Sequence, residues 1–214
     1  MKLAIIGASG FVGINVLTEA LQRGHSVTAI VRNADKITIT HPALTVAAAD
    51  ATNPDELAPL LAGQDAVVSS FNAGWTNPNL YDAFLTGSKA IEAGVEKAGV
   101  SRLLVIGGAG SLEVAPGVQL VDTPQFPADY KAGATAARDY LTHLRQNTTL
   151  DWTFLSPAIE LVPGEPTGMF RLGTDQPVFD AQHHSRISVG DLAVAILDEL
   201  EKPQFIRRRF TAAY

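Results

Sequence analysis

Gly7, Gly10 and Gly13 recur at a fixed spacing near the start of this 214-residue chain, and that spacing points most directly to chemistry. They lie in Ile6-Gly7-Ala8-Ser9-Gly10-Phe11-Val12-Gly13, after the apolar run Leu3–Ile6 and before a stretch with Val12, Val16, Leu17, Ala20 and Leu21 apolar. The pattern reads as strand, glycine-rich turn and helix. Gly7 permits the tight bend, Gly10 lets the backbone approach a phosphate, and Gly13 lets the helix pack close to the sheet. Unpaired N–H groups and the positive end of a helix dipole then face one point, where a pyrophosphate can sit. Gly7, Ala8, Ser9, Gly10, Phe11, Val12 and Gly13 are therefore the first candidate cofactor contacts.

Further candidates stand where later apolar runs end. Val27–Val31 stops at Arg32. An enzyme that prefers NAD usually carries Asp or Glu there, whereas Arg32 offers a cation to a 2′-phosphate and a plane to stack on adenine. NADP(H) is thus favoured over NAD(H). Leu44–Ala48 leads into Ala49-Asp50-Ala51, where Asp50 either accepts from the adenine amino group or serves as a turn residue. Ala66–Phe71 leads into Phe71, Asn72, Ala73 and Gly74, whose small side chains let backbone lie against ribose and pyrophosphate. Leu103–Ile106 leads into Gly107, Gly108, Ala109, Gly110 and Ser111, a nearly side-chain-free edge with room for a nicotinamide and a substrate. Ser111 is the hydroxyl at that edge and the candidate catalytic contact; the alternative is a locally bonded loop serine. Trp152–Leu155 runs into Ser156 and Pro157, where the proline either stiffens the nicotinamide wall or ends the strand.

The elements that must hold these residues alternate, with helical patterns between the strands. Asn53-Pro54-Asp55-Glu56 is a helix start, with Asn53 as cap and Glu56 placed to close a capping box. Residues 79–98 and 129–146 are further helices. The alternation predicts an α/β fold, a Rossmann-type doubly wound parallel sheet with helices on both faces. Residues 156–187 are rich in Pro and Gly and predict a small loop-rich substrate-side excursion with one short strand or hairpin. A helix follows from Ser188, with Asp191 three residues on, and ends before Pro203. A last strand spans about Ile206 to Thr211. The whole, residues 1–214, reads as one NAD(P)-binding domain.

Composition narrows the classes. The net charge of −6 argues against a general nucleic-acid partner. The absence of Cys removes disulfides, thiolate metal sites and cysteine nucleophiles. No apolar run reaches the roughly 18–20 residues of a spanning helix, so no membrane partner is expected, and a cytoplasmic location is. His183-His184 read as strand neighbours on opposite faces, so no metal is expected. Arg207-Arg208-Arg209 read as a solvated strand edge. A monomer or a homodimer suits this size.

The glycine spacing, Arg32, Gly107–Ser111 and Leu155-Ser156-Pro157-Ala158 together resemble the atypical branch of the short-chain dehydrogenase/reductase superfamily. More narrowly, the chain is similar to the NADH-flavin reductase family in Gly107–Ser111, Asp122–Pro127, Asp151–Ala158 and Arg186–Leu200, nearly end to end. The resemblance implies an NAD(P)H-dependent reductase that passes hydride to a flavin or quinone-like acceptor. One departure bears on mechanism. The superfamily's Tyr-x-x-x-Lys pair is missing, because Ala134 stands four residues after Tyr130 and Leu144 four after Tyr140. Lys131 follows Tyr130 directly and points about 100° away on a helix. Flavins and quinones accept hydride without such a relay, and Trp75 and Phe170 are candidate lid aromatics, or else packing under a loop. The alternatives are a non-catalytic NADP(H)-sensing protein and an NAD-dependent epimerase or dehydratase, which would need a proton relay and a larger substrate lobe.

Overall fold

The computed structural model describes every residue from Met1 to Tyr214. Strand β1 (Lys2–Ile6) sends Leu3 and Ile5 to one face of the sheet and Ala4 and Ile6 to the other, all buried. A strand buried on both sides needs helices on both sides. The chain continues through α1 (Phe11–Gln22), β2 (Ser26–Val31), β3 (Leu44–Ala48), α2 (Pro54–Leu61), β4 (Ala66–Ser69), α3 (Leu80–Lys97) and β5 (Arg102–Ile106). A small hairpin follows, β6 (Glu113–Ala115) and β7 (Val118–Gln119), and then α4 (Ala128–Leu144) and β8 (Asp151–Pro157). The last elements are β9 (Glu160–Val162), β10 (Arg171–Gly173), β11 (Arg186–Ser188), α5 (Val189–Glu201) and β12 (Arg208–Ala213).

Eight strands form the main sheet in the order β10-β12-β8-β5-β4-β1-β2-β3. All neighbours are parallel except β10 against β12. Helices α1 and α5 cover one face, while α2, α3 and α4 cover the other. The chain winds outward from β1 through β2 and β3, then returns to build the other half from β4. Ligands of such sheets bind at that reversal, beyond the carboxyl ends of the strands. Register places it: Ile6 pairs with Ile30 on one side and Ser69 on the other.

Caps set the helix starts. The Asn53 side chain accepts from Asp55 N–H at 3.0 Å. Glu56 does not close back onto the Asn53 N–H; it binds the Asn53 side-chain amide and the Asp50 N–H, each at 3.0 Å. Ser188 Oγ accepts from Asp191 N–H at 3.0 Å.

Several segments differ from expectation. Between β2 and β3 there is only a short 3-10 turn, Ala34–Lys36, in a stretch broken by β-branched residues and Pro42. The 156–187 excursion carries three short strands: β9 pairs with β11, and β10 joins the main sheet. His183 sits in a tight turn with φ 61°, not in a strand. The arginine run is only in part a solvated strand edge: β10 pairs with Thr211–Ala213 and leaves the run uncovered, Arg207 and Arg208 are exposed with Arg207 left-handed at φ 55°, but Arg209 is buried.

Two buried carboxylates tie the distal half together. Glu199 on α5 meets Arg102 of β5 at 3.0 Å, and the same oxygen accepts from Thr153 Oγ1 at 3.2 Å and Phe205 N–H at 3.1 Å. Asp191, fully buried, accepts from Thr167 N–H and Gly168 N–H at 2.7 Å each, and from Tyr214 Oη at 2.6 Å. Burial pushes its carboxyl up, but the bonds from Tyr214, Gly168 and Thr167 outweigh it and hold it below the usual carboxylate range. A carboxyl so depressed stabilises the fold above its unfolded value of about 3.9, and that contribution is lost as pH falls through the lower folded value. Acid melts of the wild type should therefore lose stability below about pH 4 more steeply than those of Asp191→Asn, which lacks the titrating group. Parallel acid curves for the two proteins would refute this.

Candidate functional site

β1 delivers the chain to Gly7, whose φ of 80° is left-handed. Its N–H donates to the Ile30 carbonyl at 2.9 Å, locking the turn to the end of β2. A Cβ on Gly7 would stand 2.4 Å from the Ser70 carbonyl oxygen, and one on Gly13 would stand 2.2 Å from the Gly7 carbonyl oxygen. Backbone thus approaches backbone from two sides. Gly10 is the N-cap of α1; no side chain caps this helix and its first turn has no acidic residue. The helix start is left for an external anion.

A cavity of about 320 Å³ opens in front of this turn. Gly7, Ser9 and Gly10 form its floor, Arg32 comes from the end of β2, and Asp50 and Ala51 come from the end of β3. Phe71, Asn72 and Ala73 close it from the end of β4. Arg32 is exposed and enters none of the chain's ion pairs. Asp50 accepts from Thr52 N–H at 2.9 Å and Thr52 Oγ1 at 2.8 Å. Those bonds, and then the charge of Arg32, hold its carboxyl below the usual range. The Phe71 ring packs 6.1 Å from Phe84, and a Cβ on Gly87 would collide with it at 2.4 Å.

The other candidates lie elsewhere. Ala8 is buried under the turn, Phe11 is exposed on α1, and neither Val12 nor Gly13 lines the cavity. Gly107, Gly108, Ala109, Ser156 and Pro157 stand at the ends of β5 and β8, outside it. Gly107 is required by packing, since a Cβ there would meet the Phe154 ring at 1.9 Å. Ser156 Oγ is buried without a hydrogen-bond partner. Ser111 is buried, and Arg209 Nη1 donates to its hydroxyl at 2.9 Å and its carbonyl at 2.7 Å. The partner is not local, since Arg209 lies 98 residues away, so Ser111 is held by a distant guanidinium rather than bonded within its own loop. Sequence reasoning missed Thr52 and Asn77 as cavity residues. Thr52 had a signal in its position two residues after Asp50, where a side-chain turn forms; Asn77 had none.

Tyr81, Tyr140 and Tyr214 donate to carboxylates, whereas Tyr130 is exposed and makes no side-chain hydrogen bond. Tyr140 is buried and donates to Glu92 at 3.2 Å; burial first, then the Glu92 charge, pushes its phenol well above its usual value. Tyr81 donates to Asp139 at 2.8 Å. Trp75 stands 57% exposed with Tyr130 edge-on at 5.4 Å, whereas Phe170 packs against the α1–α5 core. No group of three or more His, Asp or Glu side chains is placed to hold a metal ion, and no helix is long and apolar enough to cross a membrane.

Comparison with known families agrees with this geometry. An NAD(P)H-binding family model matches residues 7–200. The chain belongs to that NAD(P)H-binding family. The uncharacterized protein YwnB of Bacillus subtilis (strain 168) is 41% identical to this family member over 214 residues, covering 99% of this chain and 97% of YwnB. A solved structure described as a "putative epimerase", from Bacteroides thetaiotaomicron, superposes with a TM-score of 0.94 at 44% identity, covering 100% of this chain and 96% of that one. Another, a "putative NADH-flavin reductase" from Streptococcus pneumoniae TIGR4, gives 0.84 at 37% identity, covering 100% and 99%. The family and the mostly parallel sheet thus agree with the Rossmann-type architecture expected from the alternation of strands and helices.

Proposed function

We propose that this protein is an NAD(P)H-dependent reductase that passes hydride from NADPH to a flavin or quinone-like acceptor. The observation that carries the reading is the pairing of the glycine turn with an unpaired Arg32 in one cavity, without a Tyr-x-x-x-Lys pair anywhere in the chain. The dinucleotide, when bound, supplies the hydride. Gly7, Ser9 and Gly10 present backbone to the pyrophosphate, and Arg32 faces the adenosine end. Asn72, Ala73 and Asn77, in the loop that also carries Trp75, flank the cavity. Trp75 and Tyr130 offer exposed ring surface on which a flat acceptor can stack. Ser111 and Tyr140 are held inside the fold, and the exposed Tyr130 has no lysine four residues on, so the reading assigns this chain the task of orienting the acceptor rather than running a Tyr–Lys proton relay.

The test is the absorbance of reduced nicotinamide. Addition of FMN or a quinone should accelerate NADPH oxidation over the protein-free control. Binding of NADPH with no acceleration by any acceptor would favour a cofactor-sensing protein instead. The chain similar to an epimerase keeps that third chemistry as a comparison, and the missing proton relay argues against it.

Cofactor preference has its own test. Arg32→Asp should weaken NADPH by about 1–3 kcal/mol, the range of a lost hydrogen bond to a charged group, and leave NADH nearly unchanged. Titrations of both cofactors read this directly. Equal losses for the two would remove Arg32 from phosphate recognition.

A further inference from the structure

A second cavity, of about 390 Å³, lies away from the glycine turn. Arg145, Arg207, Arg208 and Arg209 line it, together with Trp152 and Asp175. It sits where β8 and β12 begin, at the end of α4, on the opposite edge of the sheet from the carboxyl ends that form the cofactor cavity. Four arginines border one hollow in a chain whose net charge is −6. Arg207, just before β12, and Arg208 and Arg209 at its start all border this hollow. Arg207 is held in the left-handed region at φ 55°, which is costly for a non-glycine residue.

The four are not equivalent. Arg209 is spent: it is buried, donates to Ser111, and pairs with Asp175. Arg145 reaches Asp175 only at 3.5 Å, and Arg207 reaches Asp151 at 3.4 Å, with these side chains about half exposed. Such pairs contribute little. Arg208 enters no ion pair and makes no side-chain hydrogen bond, yet it is exposed along the cavity wall. Four guanidiniums against the carboxylates of Asp175 and Asp151 leave two positive charges uncompensated.

We infer that this cavity is a second, anion-binding site for a small phosphate-bearing molecule, held by Arg208, Arg145 and Arg207 with Arg209 as its fixed wall. Guanidinium forks bind phosphate oxygens bidentately, and a tetrahedral group can meet donors from three directions, where a planar carboxylate meets them in one plane. Two uncompensated charges match a phosphate's charge. The volume admits more than a single inorganic ion.

The site can be tested by equilibrium dialysis of the full chain against labelled inorganic pyrophosphate, with excess NADPH filling the cofactor cavity. The wild type should bind one equivalent saturably, and Arg208→Gln and Arg145→Gln should each weaken it tenfold or more. Both side chains are exposed, so neither variant should lose the fold, and a melting curve checks this. NADPH affinity should be unchanged in the Arg208 variant, and Arg32→Asp should leave the dialysis result intact, which separates this site from the cofactor reading. No saturable binding, equal affinity in the arginine variants, or an effect reproduced by sodium chloride at matched ionic strength would overturn the site. Citrate binding as tightly as pyrophosphate would overturn its assignment to phosphate.

Discussion

Glu199→Ala should destabilise the protein by about 3–5 kcal/mol, because it leaves a buried guanidinium without its counter-charge. Arg102 is only 8% exposed and donates to Glu199, Thr153 Oγ1 and the Asp151 carbonyl. Burial already pulls its guanidinium below the usual value, opposed by the Glu199 charge. Glu199 also accepts from the N–H groups of Gln204 at 2.8 Å and Phe205 at 3.1 Å, so its loss frees the turn that leads into β12. Replacing both partners with apolar residues of similar shape, Arg102→Met with Glu199→Leu, should recover much of the loss, since a buried pair is worth far less than the penalty for breaking it. Denaturant unfolding of the two singles and the double reads the coupling. A Glu199→Ala loss below about 1 kcal/mol would mean that water reaches the pair.

The second large effect separates two glycines of one turn. Gly13→Ala should cost stability and cofactor binding together, because the new methyl would meet three backbone atoms within 3 Å: the Gly7 oxygen, the Ala8 Cα and the Gly7 carbonyl carbon. Overpacking against backbone costs about 1–3 kcal/mol or more, and the turn that must yield is the one that faces the cofactor. Gly10→Ala should behave differently. Its φ is −79°, and its methyl would meet only the Gly7 oxygen, at 3.3 Å. The fold should therefore hold, within about 1 kcal/mol, since its backbone is one that alanine adopts readily. The same methyl would project where a pyrophosphate lies, so NADPH affinity should fall about tenfold or more, a change of about 1.4 kcal/mol. Melting curves and NADPH titrations on both variants test this. Equal melting losses for the two would end the division of labour.

The sequence alone determined the fold class and one end of the site. Alternating apolar runs with helical stretches between them admit few arrangements, and a glycine turn after the first strand belongs at the reversal of a doubly wound sheet. Gly7, Gly10, Arg32, Asp50 and Asn72 could be gathered on paper because each follows a strand whose end must lie at the same sheet edge. That inference needs only local chain order. The tertiary structure decided what depends on distant partners. Ser111 reads as a substrate contact or as a locally bonded loop serine, yet Arg209, 98 residues away in sequence, holds it. Arg207–Arg209 reads as a solvated edge, but Arg209 is buried against Ser111 and Asp175, while Arg208 stays on a cavity wall. Arg102 and Glu199 carry no local sign that they will meet. Local spacing encodes hydrogen bonds and periodicity within a few residues, whereas burial and charge pairing emerge only when separate elements are packed together.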